Sequence, residues 1–250
     1  MLEKSEVIIV PRGGKLARKG AEIFYQHAKN SISSRGKFSV AVSGGSTPLA
    51  MHRLLGEKPF ISDVPWHQTH IFWVDERLVS VDDPASNFGA AKSDWLTRVP
   101  IPKDQIHPMP VQLKPQDGAD NYQAALEAYF TERESNYPVF DLIFLGIGTD
   151  GHTASLFPEN RVARETKKWV VSVKGGKPDV YRLTLTYAVL NNARCVCFMV
   201  SGKKKAPIIH TVFVNPEAQL PAQRIAPTNG ALMWLLDEDA AALLPEEYIH

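Results

Sequence analysis

A short apolar run that leads directly into a glycine-rich turn constrains the fold of this chain more than any other feature. Leu142–Leu145 reads LIFL, an unbroken apolar segment typical of a central parallel strand that is covered on both faces. Three glycines follow within six residues and allow the backbone to turn sharply. Because this turn carries Asp150 and His152, the sequence predicts chemistry at the exit of a buried strand.

Strand-like and helix-like segments alternate along the whole chain. Strands are predicted at residues 7–10, 38–42, 71–74, 142–145, 169–173, 181–186, 195–200 and 231–236. Helices are predicted at residues 15–33, 49–55, 90–98, 117–135 and 203–214, with a short alanine-rich helix after residue 236. In residues 181–186 polar and apolar side chains alternate, which predicts a half-exposed strand with Arg182 on the surface. The alternation resumes after a proline-rich connector, so we predict one α/β domain over residues 1–250, with a mainly parallel sheet and helices on both faces.

Composition narrows the possible partners. A formal net charge of +1 gives the chain no global field for a polyanion, so a nucleic-acid partner is not expected. No apolar window approaches the roughly 18 residues of a membrane-spanning helix, and we expect a soluble cytoplasmic protein. Cys195 and Cys197 lie two apart in an apolar run, a spacing that predicts reduced core residues.

Four polar clusters each follow directly after a predicted buried strand. They begin at Ser43, Asp75, Gly146 and Gly202. In an open parallel sheet, ligands bind in the crevice beyond the carboxyl ends of the strands. We therefore expect these four loops to share one edge of the sheet, although they are far apart in sequence.

The first cluster has the features of an anion site. It consists of Ser43, Gly44, Gly45, Ser46 and Thr47, and a helix is predicted directly behind it. The glycines let backbone amides approach an anion, the hydroxyls can donate to it, and a helix N-terminus favours negative charge. The loop matches neither a P-loop nor a dinucleotide turn, so it predicts a phosphate rather than a nucleotide, with a simple tight turn as the alternative.

The charged residues at the other strand exits allow two interpretations each. Asp75, Glu76 and Arg77 form either a surface charge cluster or part of a site. Lys205 opens a predicted helix after a glycine, where a cation can complete a phosphate site, while Lys203 and Lys204 are expected to be solvated.

His152 is the predicted acid–base residue. It lies in the glycine-rich turn beside Asp150, a carboxylate able to fix the imidazole tautomer. A metal site is not predicted, because a catalytic zinc needs about three protein ligands and no signature spacing is present. A serine hydrolase is disfavoured because Ser43 and Ser46 lack the G-x-S-x-G elbow.

Five motifs together resemble the 6-phosphogluconolactonase family. They read SGGSTP at 43–48, VDERLV at 74–79, LGIGTDGHTASLFP at 145–158, RLTLT at 182–186 and GKKKA at 202–206. The resemblance implies a Rossmann-like α/β fold, hydrolysis of 6-phosphoglucono-1,5-lactone without a cofactor, and a monomer or small homo-oligomer. It implies that His152 is the general base and that Arg77 orients the substrate or stabilises charge, with Asp75 and Asp150 ordering the site. The loop 43–47, Arg182 and Lys205 then correspond to phosphate and sugar contacts.

Two rival functions fit the same features in part. A glucosamine-6-phosphate deaminase or isomerase on this fold also needs an acid–base pair and a phosphate cradle. The deaminase pattern continues after the histidine with Ile-Gly-Phe-Asn-Glu-Pro, whereas this chain reads TASLFP at 153–158. A non-catalytic sugar-phosphate sensor is the other rival, and it would normally carry a further partner-binding domain.

Overall fold

A computed structural model describes residues 5–131, 136–159 and 167–248. The strands are β1 (Glu6–Val10), β2 (Phe38–Val42), β3 (Thr69–Trp73), β4 (Asp75–Arg77), β5 (Ile106–His107), β6 (Leu142–Leu145), β7 (Val170–Gly175), β8 (Val180–Leu185), β9 (Cys195–Val200) and β10 (Ala231–Asp237). The helices are α1 (Lys15–Arg35), α2 (Ser46–Leu55), α3 (Phe60–Asp63), α4 (Asn87–Ala91), α5 (Pro115–Tyr129), α6 (Tyr187–Leu190) and α7 (Ala206–Val214). Short 3₁₀ turns lie at Trp66–Gln68, Lys103–Gln105, Lys203–Lys205, Pro216–Ala218, Pro221–Arg224 and Glu246–Tyr248.

A parallel sheet of seven strands forms the centre of the fold. Its order is β1-β10-β9-β6-β2-β3-β5, so β6 is the fourth of seven strands. All four residues of β6 are fully buried. The prediction of a central parallel strand that feeds the glycine-rich turn is therefore confirmed.

Helices cover both faces of this sheet. The register pairs Ala41 of β2 with Phe72 of β3, so Phe38 and Phe72 point to opposite faces, because side chains alternate along a strand. Phe24 of α1 packs edge-to-face on Phe38 at 5.3 Å, and Tyr129 of α5 packs on Phe72 at 5.0 Å. The predicted α/β architecture is confirmed.

Strand β6 is fixed at its entrance by a buried carboxylate. Asp141 accepts hydrogen bonds from the Ser39 amide at 2.8 Å and the Ser39 hydroxyl at 2.9 Å. Its other oxygen accepts from the Arg35 guanidinium at 2.7 Å, at the end of α1. These hydrogen bonds connect α1 and β2 to the residue that precedes β6. They therefore fix the position of β6 relative to its neighbours, and with it the position of the glycine-rich turn that follows.

A second, antiparallel sheet of three strands, ordered β4-β8-β7, lies beside the first. From Arg182 onward every residue of the middle strand β8 is buried, so the prediction of a half-exposed strand with a surface arginine is wrong. The Arg182 guanidinium lies 5.7 Å from the centre of the Phe157 ring and donates from Nε to the Gly175 carbonyl at 2.8 Å. Strands on both sides and this covering ring remove β8 from solvent.

Three predicted helices also differ from the structure. The alanine-rich helix after residue 236 is wrong: the chain forms turns there, because the Asp237 carboxylate accepts from the Ala240 amide at 2.8 Å. The helix predicted at 90–98 begins three residues earlier, at Asn87, and continues as a π-helical turn over Lys92–Leu96. The helix predicted at 117–135 is Pro115–Tyr129, and residues 132–135 lie outside the described part of the chain.

In the described part of the chain both cysteines are free. Cys195 and Cys197 are free and buried as predicted, and burial raises the pKa of the Cys195 thiol to about 12. None of the helices described has the length and apolar content needed to cross a membrane.

The buried side chain of His52 predicts a loss of stability in mild acid. Among the described residues neither of its ring nitrogens has a hydrogen-bond partner, and its ring stacks on Trp95 at 5.0 Å. Burial lowers the pKa of His52 from 6.5 to about 4, although the charge of Asp94 opposes this shift. The unfolded chain therefore binds a proton at a higher pH than the folded chain. The contribution to stability is fully present above pH 6.5 and is lost as the pH falls towards 4, by about 3 kcal/mol in total.

Denaturant unfolding between pH 7 and pH 4 tests this expectation. We expect His52→Phe, which retains the ring stack on Trp95, to reduce the slope of unfolding free energy against pH. His107, whose pKa is also lowered to about 4, contributes equally to both proteins and cancels in the comparison. His210→Gln, at an exposed residue, is the control. An H52F protein with the slope of the parent chain would contradict the assignment.

Candidate active site

A cavity of about 250 Å³ opens at the carboxyl ends of β2, β6 and β9, where β4 and β8 also approach. It is lined by Ser43, Gly44, Gly45, Ser46, Thr47, Pro48, Asp75, Arg77, Asn87, Gly146, Ile147, Gly148, His152, Ala154, Arg182, Met199, Val200, Ser201 and Lys205. All four predicted loops contribute to this lining. The expectation that they share one edge of the sheet is confirmed.

The turn after β6 holds His152 by its backbone and by its ring. Asp150 Oδ1 lies 2.5 Å from His152 Nδ1 and accepts from the His152 amide at 3.2 Å. Partial burial raises the pKa of Asp150, but these hydrogen bonds outweigh it and the pKa is lowered overall. An ionised Asp150 keeps the proton on Nδ1 of a neutral imidazole and leaves Nε2 as the basic nitrogen. Gly148 is needed here, because a Cβ at this residue would overlap the His152 ring.

Asp150 itself does not line the first cavity. It lines an adjoining cavity of about 1030 Å³, which shares Arg77, His152 and Arg182 with the first. Asp150 therefore supports His152 from the side away from the predicted phosphate loop.

The predicted phosphate loop leads directly into α2. Gly45 is the N-cap residue with φ of 100°, a conformation that favours glycine, and no acidic residue lies in the first turn of the helix. The backbone N–H groups at this helix start are free to bind an anion. Ser43 Oγ donates to the Phe144 carbonyl at 3.0 Å, which fixes the loop to β6.

Arg77 and Arg182 face each other across the β4–β8 pair. Arg182 is 4% exposed, and burial followed by the neighbouring charge of Arg77 lowers its pKa. Within the described residues neither guanidinium forms an ion pair with a carboxylate. Arg182 is buried and Arg77 is half-buried, and two such cations without a carboxylate ion pair in the described residues favour an anionic ligand, because a bound anion would supply the missing charge.

Lys205 is the lysine of its cluster that reaches the cavity. Its Nζ donates to the Ile147 carbonyl at 2.5 Å, and burial lowers its pKa, an effect that the charge of Asp150 opposes. Lys203 and Lys204 are exposed and do not line the cavity. The geometry therefore agrees with the choice of Lys205 among the three lysines.

Four residues that organise the site had not been predicted. Asn87 lines the cavity, Glu76 is buried behind it, Ser155 donates to Asp75 Oδ2 at 2.6 Å, and Phe157 lies 5.0 Å from the His152 ring. Asn87 and Ser155 are small polar residues with no distinctive spacing in the sequence. Glu76 is the one of these four whose position at a strand exit indicated a possible functional role. The same position is shared by Asp75 and Arg77, so the sequence did not distinguish Glu76 from them.

Among residues 5–131, 136–159 and 167–248, no group of three or more His, Cys, Asp and Glu side chains is placed to hold a metal ion.

Residues 11–234 match the family described as glucosamine-6-phosphate isomerases/6-phosphogluconolactonase. The chain belongs to this family. The 6-phosphogluconolactonase of Synechocystis sp. is 42% identical over 215 residues, which cover 84% of this chain and 86% of that protein. The 6-phosphogluconolactonase of Rattus norvegicus is 36% identical over 227 residues, covering 90% of this chain and 88% of that protein.

Solved structures of the family have the same fold. The structure of a devB protein superposes with a TM-score of 0.88 at 32% identity and covers 96% of this chain and 99% of that chain. The Trypanosoma cruzi 6-phosphogluconolactonase gives a TM-score of 0.87 at 26% identity, with 98% of each chain covered. A monomeric glucosamine-6-phosphate deaminase has the same fold, with a TM-score of 0.80 at 17% identity, and covers 95% of this chain and 99% of that chain.

The two unpaired guanidinium groups predict that inorganic phosphate stabilises the protein. A ligand at 100 times its dissociation constant adds about 2.7 kcal/mol. For a chain of this size that shift corresponds to a rise in Tm of about 5–10 °C. Thermal unfolding in phosphate, against sodium chloride of equal ionic strength, measures the shift. Arg182→Gln should abolish most of it, and an unchanged phosphate shift in R182Q would place the anion elsewhere.

Proposed function

We propose that this chain hydrolyses 6-phosphoglucono-1,5-lactone to 6-phosphogluconate, with His152 as the general base. The observation that carries the proposal is one cavity lined by His152, Arg77, Arg182 and Lys205, with Asp150 hydrogen-bonded to His152 from the adjoining cavity. The proposed acid–base residue and the proposed anion-binding cations are therefore close enough to contact one small molecule. The two family members described above that share 36–42% identity with the chain are named for this reaction.

Water is the nucleophile in the proposed reaction. Nε2 of His152 removes a proton from a water molecule as the water oxygen adds to the lactone carbonyl. The carbonyl becomes a tetrahedral oxyanion, the bond to the ring oxygen breaks, and the imidazolium returns the proton to that oxygen. The Asp150 carboxylate stabilises the imidazolium formed between the two steps, as expected for a histidine held by a carboxylate through Nδ1.

A covalent nucleophile is not required. A lactone is a reactive cyclic ester, and the hydroxyl of Ser43 donates its proton to the Phe144 carbonyl rather than to His152. The oxyanion needs hydrogen-bond donors, for which Arg77 and the amides of the glycine-rich turn are the candidates. One such donor is worth roughly 3–4 kcal/mol in enzymes where it has been removed.

The phosphate group supplies binding and orientation. Its proposed contacts are the start of α2 at Ser46 and Thr47, the Arg182 guanidinium and the Lys205 ammonium. Binding energy at a group remote from the reacting carbonyl holds the lactone ring against His152 and so lowers the barrier. A single domain, a cytoplasmic location and a monomeric or small homo-oligomeric state stay predictions.

Decay of freshly generated 6-phosphogluconolactone tests the reaction and the base together. The parent chain should accelerate decay over the spontaneous rate in the presence of EDTA. His152→Asn should lower kcat by about 100-fold or more, because it removes the proton acceptor while retaining a similar shape.

Binding of 6-phosphogluconate to H152N is the control, and its affinity should change little. Decay no faster than the spontaneous rate with the parent chain would refute the reaction. Turnover by H152N near that of the parent chain would refute the base, and ammonia release from glucosamine 6-phosphate would favour the deaminase instead.

The lysine cluster provides matched variants for the phosphate contact. Lys205→Ala should raise KM for the phosphorylated lactone and weaken 6-phosphogluconate binding by about ten-fold or more, because it removes a partly buried cation. Lys203→Ala and Lys204→Ala remove the same charge from exposed positions and should stay within about two-fold of the parent chain. The opposite ranking would show that a different lysine contacts the phosphate.

A further inference from the structure

Asn87 connects three parts of the site with one small side chain. It is 4% exposed and lines the cavity. Its Nδ2 donates to the Asp75 carbonyl at 2.9 Å, and its Oδ1 accepts a hydrogen bond from Nη1 of Arg77. The phosphate loop packs against it at Gly44, where a Cβ would overlap the Asn87 side chain. The position of Arg77 therefore depends on a residue that the proposed reaction does not use.

The backbone of Asn87 is fixed by a buried carboxylate. Glu76 accepts from the amides of Asn87 at 2.8 Å, Phe88 at 2.7 Å and Arg77 at 2.8 Å. Burial raises the pKa of Glu76, and these three backbone hydrogen bonds oppose the shift. The start of α4 is thereby held beside β4, and the Glu76 oxygens are directed to backbone amides instead of the Arg77 guanidinium.

Asp75, the other carboxylate near Arg77, also accepts a hydrogen bond from an uncharged donor. Asp75 Oδ2 accepts from Ser155 Oγ at 2.6 Å. The Arg77 guanidinium donates to the Ala85 carbonyl at 3.1 Å and to the Asn87 amide oxygen, and both acceptors are uncharged. A carboxylate in the place of Asn87 would hold the guanidinium equally well but would cancel its charge.

We propose that Asn87 is a positioning residue that aims Arg77 into the cavity while leaving its positive charge free for the ligand. The proposal rests on the proposed function, because the phosphorylated lactone is the anion that Arg77 meets. Asn87 acts through Arg77 and so affects turnover and ligand affinity only while Arg77 is present.

A double-mutant cycle tests this dependence. Asn87→Ala, Arg77→Ala and the double variant are compared in kcat/KM for the lactone and in affinity for 6-phosphogluconate measured by calorimetry. N87A should lower both quantities by about ten-fold in the parent chain and by less than about two-fold in the R77A background. The resulting difference of at least about five-fold between backgrounds corresponds to a coupling of about 1 kcal/mol or more. Equal effects of N87A in the two backgrounds would overturn the proposal.

The variant Asn87→Asp tests whether the acceptor that orients Arg77 has to be uncharged. The carboxylate retains an acceptor for Arg77 but adds a negative charge beside it. We expect N87D to have a Tm no lower than that of N87A and an affinity for 6-phosphogluconate at least about ten-fold below that of the parent chain. N87D binding as tightly as the parent chain would show that an uncharged acceptor is not required.

Asn191→Ala is the matched control for a loss of folding stability. Asn191 also bridges backbone groups, the Arg224 carbonyl at 2.9 Å and the Ala226 amide at 2.8 Å, but it does not line the cavity. It should lower Tm without changing 6-phosphogluconate affinity. If the parent chain binds 6-phosphogluconate without hydrolysing the lactone, the proposed function fails, and the affinity cycle still decides the role of Asn87. Absence of coupling in the affinity cycle overturns the role of Asn87 whatever the activity.

Discussion

The site is organised around the guanidinium groups of buried Arg182 and half-buried Arg77, neither of which forms an ion pair with a carboxylate in the part of the chain that the structure describes. Arg77 and Arg182 lie opposite each other in the β4–β8 register, where like charges repel and burial is costly. The fold holds them with uncharged acceptors: a backbone carbonyl of Gly175 for Arg182, and the amide oxygen of Asn87 for Arg77. Their positive charge is therefore preserved. An anionic ligand relieves a repulsion that the unliganded fold has to sustain, so folding stability and ligand affinity are linked at this point of the molecule.

The residues after His152 contribute to both halves of the site. Ser155 donates to Asp75, the carboxylate two residues before Arg77 in β4. The ring of Phe157 lies between the acid–base and anion-binding groups, 5.0 Å from the His152 ring and 5.7 Å from the Arg182 guanidinium carbon. The TASLFP segment that distinguishes this chain from the deaminase pattern is thus a set of contacts to groups already in the site. We expect changes in this segment to alter the positions of His152 and Arg182, because Phe157 contacts both side chains.

The sequence predicted which loops meet at the cavity, because this follows from the topology of the sheet. It did not predict which residues hold the side chains of the site in place. Parallel strands place their exits on one edge, so the strand patterns predicted that the loops carrying His152 and Lys205 would meet, while the roles of these two residues stay predictions. Alternating polarity in residues 181–186 suggested exposure, because a pattern of side chains does not show that a second sheet and an aromatic ring cover Arg182. Asn87 gave no signal, since its role depends on contacts across the fold. The alanine-rich segment after residue 236 has the composition of a helix, but hydrogen bonds to the Asp237 carboxylate close a turn there.

Helices α2 and α4 both begin at the cavity, and they pack against each other behind it. Helix α2 presents its N-terminus to the cavity and buries His52, which stacks on Trp95 at 5.0 Å. Trp95 lies in the π-helical turn that continues α4, and α4 begins at Asn87. Arg53 of α2 also pairs with Asp94 at 3.3 Å. The helix that offers backbone amides to an anion and the helix that aims Arg77 are therefore one packed unit. The proposed phosphate contact at the start of α2 and the proposed orientation of Arg77 by Asn87 therefore depend on the same packed core.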